Sequence, residues 1–173
     1  MIATLTKPSA EPTTDCETSR SHVPLIYVAA PYSEPDPVEN THAVIKVADA
    51  LLDAGFTPLV PHLTLAWHLV SPKSYDTWMA YDHHLLARCD AVLRVPGYSN
   101  GATRETQFAD DLGSPVIRPR SSDATDCVSA VTTWFNEASA HLELSTSCHR
   151  CQDESPGCGD CRCCHVCCRC GGR

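Results

Sequence analysis

The sequence predicts an α/β domain built on a doubly wound parallel sheet, and three observations predict it. Continuous apolar runs of strand length, such as Leu25-Ile26-Tyr27-Val28-Ala29, suit strands buried on both faces of a parallel sheet. Stretches with apolar residues at helical spacing alternate with those runs, as repeated βα units require. Proline and glycine fall at the junctions, where a strand or helix must stop.

The first strand, Leu25 to Ala29, stops before Pro31, and Tyr32-Ser33-Glu34-Pro35-Asp36-Pro37 reads as a loop. Val44, Val47, Ala48, Leu51 and Leu52 then recur at i, i+3, i+4, i+7 and i+8, an amphipathic helix with Gly55 at its C-terminal end. Thr57 to Val60 predicts a second strand closed by Pro61, and Leu63 to Val70 a short helix ended by Ser71-Pro72. Ser74 or Asp76 caps a further helix whose Trp78, Tyr81, Leu85, Leu86 and Cys89 share one face. Ala91 to Val95 is the third strand. The turn-rich Pro96-Gly97-Tyr98-Ser99-Asn100-Gly101 leads from it into a helix carrying Ala102, Phe108, Ala109 and Leu112, closed by Gly113. Pro115 to Arg118 predicts a fourth strand, and the stripe Val128, Val131, Phe135, Ala138 and Leu142 a last helix. Right-handed crossovers then give four to five strands in flavodoxin-like order. Ligands are expected at the C-terminal strand ends, beside the loops after Ala29, Val60 and Val95.

At 173 residues the chain has room for one ordinary domain, expected at 23–144. Before it, residues 1–22 read as a flexible arm, too poor in apolar side chains to offset the entropy of ordering; after it, 145–173 is a cysteine-rich tail. A net charge of −8 supplies no basic field to displace counterions from phosphates, so nucleic acid is not expected as the main partner and a small substrate is. No apolar run approaches the roughly 20 residues that span a bilayer, and the N-terminus lacks a signal-peptide pattern. No membrane partner is therefore expected, and the expected location is cytoplasmic.

Two carboxylates break the amphipathic rule. Glu105 lies three residues after Ala102 and three and four before Phe108 and Ala109, which puts it on a buried helical stripe beside the loop end of the sheet. Asp82 lies four after Trp78 and three and four before Leu85 and Leu86. A carboxylate withdrawn from water needs a hydrogen-bonding or chemical reason to be there. The structural readings are a first-turn acid that complements the helix dipole for Glu105, and an ion pair with Arg88 or Arg104 for Asp82. The chemical reading is glycosyl transfer, in which one acid attacks the anomeric carbon and the other manages the proton on the leaving group.

A set of short pieces in fixed order completes the pattern: Ile26-Tyr27-Val28-Ala29-Ala30-Pro31-Tyr32, the helix from Asn40 through Ala43 to Leu52, Pro61-His62, Trp78-Met79 with Tyr81-Asp82, Cys89-Asp90-Ala91-Val92, Ser99-Asn100-Gly101-Ala102, Glu105, Ala109 and Gly113-Ser114-Pro115-Val116. Over residues 24 to 118 this set resembles the nucleoside 2-deoxyribosyltransferase-like superfamily, which also holds nucleotide N-glycoside hydrolases. The resemblance implies Glu105 as a nucleophile forming a glycosyl-enzyme intermediate, Asp82 as the acid that assists the departing base, and Tyr27 as the hydroxyl that orients Glu105. It implies substrate contacts at Ala29, Pro31, Tyr32, Ser33, His62, Ser99, Asn100, Gly101 and Ala102. For a 5′-phosphate, Ser33, Ser114 and Arg104 are the candidates. Backbone N–H groups of Gly101 and Ala102 would keep Glu105 ionised, while a half-buried Asp82 holds a raised pKa. No catalytic cofactor is needed. The expected substrate is a nucleoside or nucleotide, a homo-oligomer is left open, and His62 also admits a purely structural, hydrogen-bonded reading. His83 and His84 read as solvent-facing or packing residues. The family's transferases grip substrate with a C-terminal carboxylate or asparagine from a neighbouring subunit, which this chain replaces with cysteines; hydrolysis and base exchange both stay open, with hydrolysis favoured.

Nine of the twelve cysteines fall between Cys148 and Cys170. Cys148-x-x-Cys151 and Cys158-x-x-Cys161 are knuckles of zinc-ligand spacing, and Cys164-x-x-Cys167 overlaps a further pair. A structural zinc held by Cys148, Cys151, Cys158, Cys161, Cys164 and Cys167 is expected there, with a thiol-rich unfolded tail as the alternative and a protein partner as the tail's expected use. Rival readings of the whole chain are a nucleotide-binding sensor that keeps the pocket without turnover, and a zinc-dependent interaction protein with the α/β domain as scaffold.

Overall fold

The computed structural model describes residues 23–145, so the arm at 1–22 and the tail cysteines expected to bind zinc lie outside the described residues. Strands β1 (Leu25–Ala29), β2 (Thr57–Leu59), β3 (Ala91–Arg94) and β4 (Val116–Ile117) form one parallel sheet in the order β2-β1-β3-β4. Helices α1 (Pro37–Asp53), α2 (Leu65–Val70), α3 (Tyr75–Leu86) and α4 (Asn100–Leu112) join them, and α5 (Ala124–Ser145) follows β4. This is the expected fold class, with four strands.

Side-chain alternation along the two central strands divides the interior into two cores. Ile26 and Val28 of β1, with Ala91 and Leu93 of β3, pack against Val44, Val47 and Leu51 of α1 and Cys127 and Val131 of α5. Tyr27, Ala29 and Val92 point the other way, against Leu86 of α3 and Ala102 and Ala109 of α4. The helix after β1 thus covers one face and the helix after β3 the other. Adjacent strands whose connections leave in opposite directions open a crevice at their C-terminal ends.

Caps explain where the helices begin. Asp36 Oδ1 accepts the Val38 and Glu39 N–H groups at 2.8 and 2.9 Å, with Pro37 at the first helical position, so α1 starts ahead of its apolar stripe. Ser74, one of two expected caps, accepts the Thr77 N–H at the head of α3. Leu63 to Val70, expected as one helix, divides into a 3-10 turn over Pro61–Thr64 and α2, and no residue of α2 is buried.

Several stripe residues sit at the margin of their helices. Leu52, Leu112, Tyr81 and Ala138 are exposed, because the arc of each helix that meets the sheet is narrower than the apolar arc of its sequence. In α3 the buried face is Met79, Asp82 and Leu86. Among the described residues no helix is long and apolar enough to cross a membrane.

Candidate active site

A cavity of about 690 Å³ opens at the C-terminal ends of the strands, within the size range of small-molecule sites. Its walls come from the loop after β1 (Ala30, Tyr32, Ser33), the 3-10 turn (His62), α2 (His68), Lys73, α3 (Tyr75, Trp78, Met79, Asp82) and the β3–α4 junction (Tyr98 to Ala102, with Arg104 and Glu105).

Three expected residues meet here. The Tyr27 hydroxyl, on a fully buried ring of the central strand, donates to Glu105 Oε1 at 2.7 Å. Burial lifts the Glu105 carboxyl from its ordinary 4.5 to about 7; the negative charge of Asp82 adds to the rise, while the Tyr27 bond and the Arg94 guanidinium oppose it. Burial likewise lifts Asp82 to about 6. Asp82 Oδ1 is buried with no hydrogen-bond partner among the described residues. The ion pairs considered for Asp82 do not form: Arg88 donates to the His84 carbonyl, and Arg104 lies over the Tyr75 ring. The Tyr27 phenol is pushed well up by burial and by the two neighbouring carboxyls, so it stays a proton donor.

Two expectations about Glu105 are corrected. Ser99 caps α4 by accepting the Ala102 N–H at 3.1 Å, and the helix begins at Asn100, so Glu105 lies beyond the first turn. Ala102 N–H is occupied by that cap, and Tyr27 supplies the hydrogen bond to the carboxylate. Glu105, expected to stay ionised, is lifted as Asp82 is, because it too is buried.

The remaining predicted contacts separate. Tyr32, Ser33, His62, Ser99, Asn100, Gly101 and Ala102 line the cavity. Ala29 does not: strand alternation turns it into the core behind Tyr27, and the neighbouring Ala30 takes the wall position. Pro31 faces a smaller neighbouring recess with Pro35, Asn40 and Gly97. Its carbonyl accepts His62 Nε2–H at 2.8 Å. His62 is thus hydrogen-bonded and on the wall at once, and the bond leaves His62 Nδ1 buried, as a lone-pair nitrogen without a partner among the described residues. Burial lowers the His62 pKa, with the backbone carbonyls of Pro31 and Ala30 opposing. Of the phosphate candidates, Ser33 and Arg104 line the cavity. Ser114 precedes β4 and so sits at the opposite end of the parallel sheet. His83 stacks on Phe108 at 4.2 Å and His84 is exposed, as their packing and solvent readings require.

The loops are held by backbone contacts. Asn40 Nδ2 donates to the Tyr32 and Glu34 carbonyls, which fixes the loop after β1. Arg94, at the end of β3, donates to the carbonyls of Val95 and Gly97. Gly97 has φ +134, and a Cβ there would meet Pro31 Cγ at 2.6 Å, so only glycine lets the two loops touch.

Sequence reading missed Tyr75, Met79, His68 and Lys73 as wall residues. A signal existed for the first two: Tyr75, Trp78, Met79 and Asp82 are at i, i+3, i+4 and i+7, one helical face that ends on the buried acid. Among the described residues no group of three or more His, Cys, Asp or Glu side chains is placed to hold a metal ion.

Residues 24–118 match the family described as "Domain of unknown function (DUF7768)", and the chain belongs to that family. A comparison with curated proteins finds no match.

Proposed function

We propose that this DUF7768 protein cleaves the N-glycosidic bond of a (deoxy)nucleoside or nucleoside monophosphate through a covalent glycosyl–Glu105 intermediate, ending in hydrolysis or base exchange, with hydrolysis favoured. The observation that carries the reading is the buried Tyr27–Glu105 hydrogen bond beside Asp82, whose buried Oδ1 has no partner among the described residues, on a cavity of about 690 Å³. A dry carboxyl pair in which one member can be ionised and the other protonated is what a retaining displacement needs.

In this reading Tyr27 holds Oε1, so Oε2 attacks C1′ as the bond from C1′ to the base nitrogen breaks. The electron pair leaves with the base, which takes the Asp82 proton. Water or a second base then attacks C1′ from the vacated side, Asp82 accepts its proton, and Glu105 departs as carboxylate. Two inversions give net retention. Burial lifts both carboxyls, Glu105 to about 7 and Asp82 to about 6, so the pair can share one proton near neutral pH. Substrate decides where that proton sits: positive charge growing at C1′ favours ionised Glu105, and a base nitrogen beside Asp82 favours its acid form. Aromatic walls at Tyr32, Tyr75, Trp78 and Tyr98 suit a planar base.

The test is incubation with deoxynucleosides and their 5′-monophosphates, with free base followed by chromatography. Base release that is lost in Glu105→Ala, together with a 2-deoxy-2-fluoroglycosyl adduct on the Glu105 peptide by mass spectrometry, is the expected result. No base from any substrate, with Glu105→Ala binding nucleotides as wild type does, would reject turnover in favour of the sensor reading.

A further inference from the structure

α2 buries none of its residues, yet it delivers one side chain to the cavity wall in a defined protonation geometry. His68 Nδ1 accepts the Trp78 indole N–H at 2.7 Å. The Lys73 backbone N–H approaches the same nitrogen at 3.5 Å. An indole nitrogen can only donate, so His68 Nδ1 must carry the lone pair and the ring proton must sit on Nε2. Ring contacts of Trp78 with Trp67, at 5.3 Å, and with His68 itself, at 5.9 Å, hold the arrangement. His68 Nε2–H has no partner among the described residues, and Lys73, whose Nζ reaches Ser71 Oγ at 2.5 Å, adds a cation to the same wall.

The bond to Trp78 ties this α2 donor to one position along α3, and that position says what it meets. Asp82 and Trp78 are four residues, just over one helical turn, apart on the cavity face, about 6 Å along the axis. That is on the scale of a whole nucleobase with its exocyclic group. With Asp82 beside the glycosidic nitrogen, which rests on the reading above, the His68 side of the cavity faces the base edge remote from the sugar.

We propose that His68 is a specificity-determining residue: through Nε2–H it selects a base carrying an oxo group, rather than an amino group, at purine C6 or pyrimidine C4. An oxo oxygen accepts the imidazole N–H. An amino group opposes donor to donor and leaves both without a partner, a mismatch that sites use for strong discrimination. Trp78 is the positioning residue that fixes the tautomer.

The experiment measures kcat/KM of the full chain on two matched pairs, 2′-deoxyinosine against 2′-deoxyadenosine and 2′-deoxyuridine against 2′-deoxycytidine. Comparing ratios between variants cancels the intrinsic lability of each bond. His68→Phe lowers the oxo-to-amino ratio about tenfold. Trp78→Phe, which frees the tautomer and keeps a ring, lowers it in the same direction and serves if the first variant does not fold. An equal loss on both members of a pair overturns the proposal. So does a loss confined to the phosphorylated substrate when 2′-deoxyinosine 5′-monophosphate is run beside 2′-deoxyinosine, which would assign His68 to a phosphate. If wild type releases no base at all, the glycosidase reading fails and binding decides the inference: hypoxanthine held tighter than adenine, and uracil than cytosine, by calorimetry supports it, while equal affinities or none overturn it.

Discussion

Replacing Glu105 by glutamine keeps the side chain's shape and its bond from Tyr27, since the amide oxygen also accepts, and removes the charge. Glu105 is only 6% exposed, and burial is the main cause that lifts its carboxyl from 4.5 to about 7. Below the unfolded value both states carry the proton, and the group costs no stability. As pH rises from about 4.5 the unfolded chain ionises while the folded one holds its proton, so stability falls until the folded value near 7 is passed. At about 1.4 kcal/mol for each tenfold difference in acidity, the full loss is roughly 3 kcal/mol. Glu105→Gln should therefore match wild type near pH 4.5 and exceed it by roughly 3 kcal/mol near pH 8, about 10 °C in Tm. Urea and thermal unfolding followed by circular dichroism across that range measure the difference. A gap that does not widen with pH, or a glutamine variant less stable than wild type at pH 8, would refute a dry, uncompensated carboxyl.

Three further outcomes are expected. Tyr27→Phe removes the hydrogen bond that holds the Glu105 pKa down, so the acid limb of the base-release profile should move to higher pH while kcat falls roughly 10- to 100-fold; an unmoved limb would contradict the orienting role. Gly97→Ala forces a Cβ onto Pro31 at a left-handed φ and should cost at least about 1–3 kcal/mol in urea unfolding, with a smaller effect pointing to loops that move apart freely. For the tail, the full chain should carry about one or two zinc ions by elemental analysis, and Cys148→Ser combined with Cys151→Ser should lower that number; unchanged zinc would exclude the first knuckle as a ligand pair.

What was legible in the sequence was whatever local spacing controls. The apolar run at Ile26 to Ala29 announced a central strand. Helical periodicity put Glu105 and Asp82 on buried faces before their neighbours across the sheet were known, and both are buried. Spacing could not say how wide a buried arc each helix has, which is why Leu52, Leu112 and Tyr81 were expected inside and lie outside. Nor could it say that none of Leu65 to Val70 would be buried while His68 joined the cavity, because that depends on a bond to Trp78 ten residues away. Ser114 misled for a related reason: it sits among matching residues in the chain but at the wrong end of its strand.

Glu105 is bracketed on its helix by Ala102 and Ala109, exposed 1% and 0%, both pressed into the core that contains Tyr27. Two methyl groups therefore act as the spacer between α4 and the sheet, and that spacing sets how far the carboxylate must reach to find the phenol. Interiors are packed tightly enough that an added methylene is relieved by moving whole elements, and a misplacement of about 1 Å can cost a reaction roughly 100-fold. Ala109 lies outside the cavity wall. In the proposed reaction its size would govern that reach, so a rate would be tunable from a position outside the cavity wall.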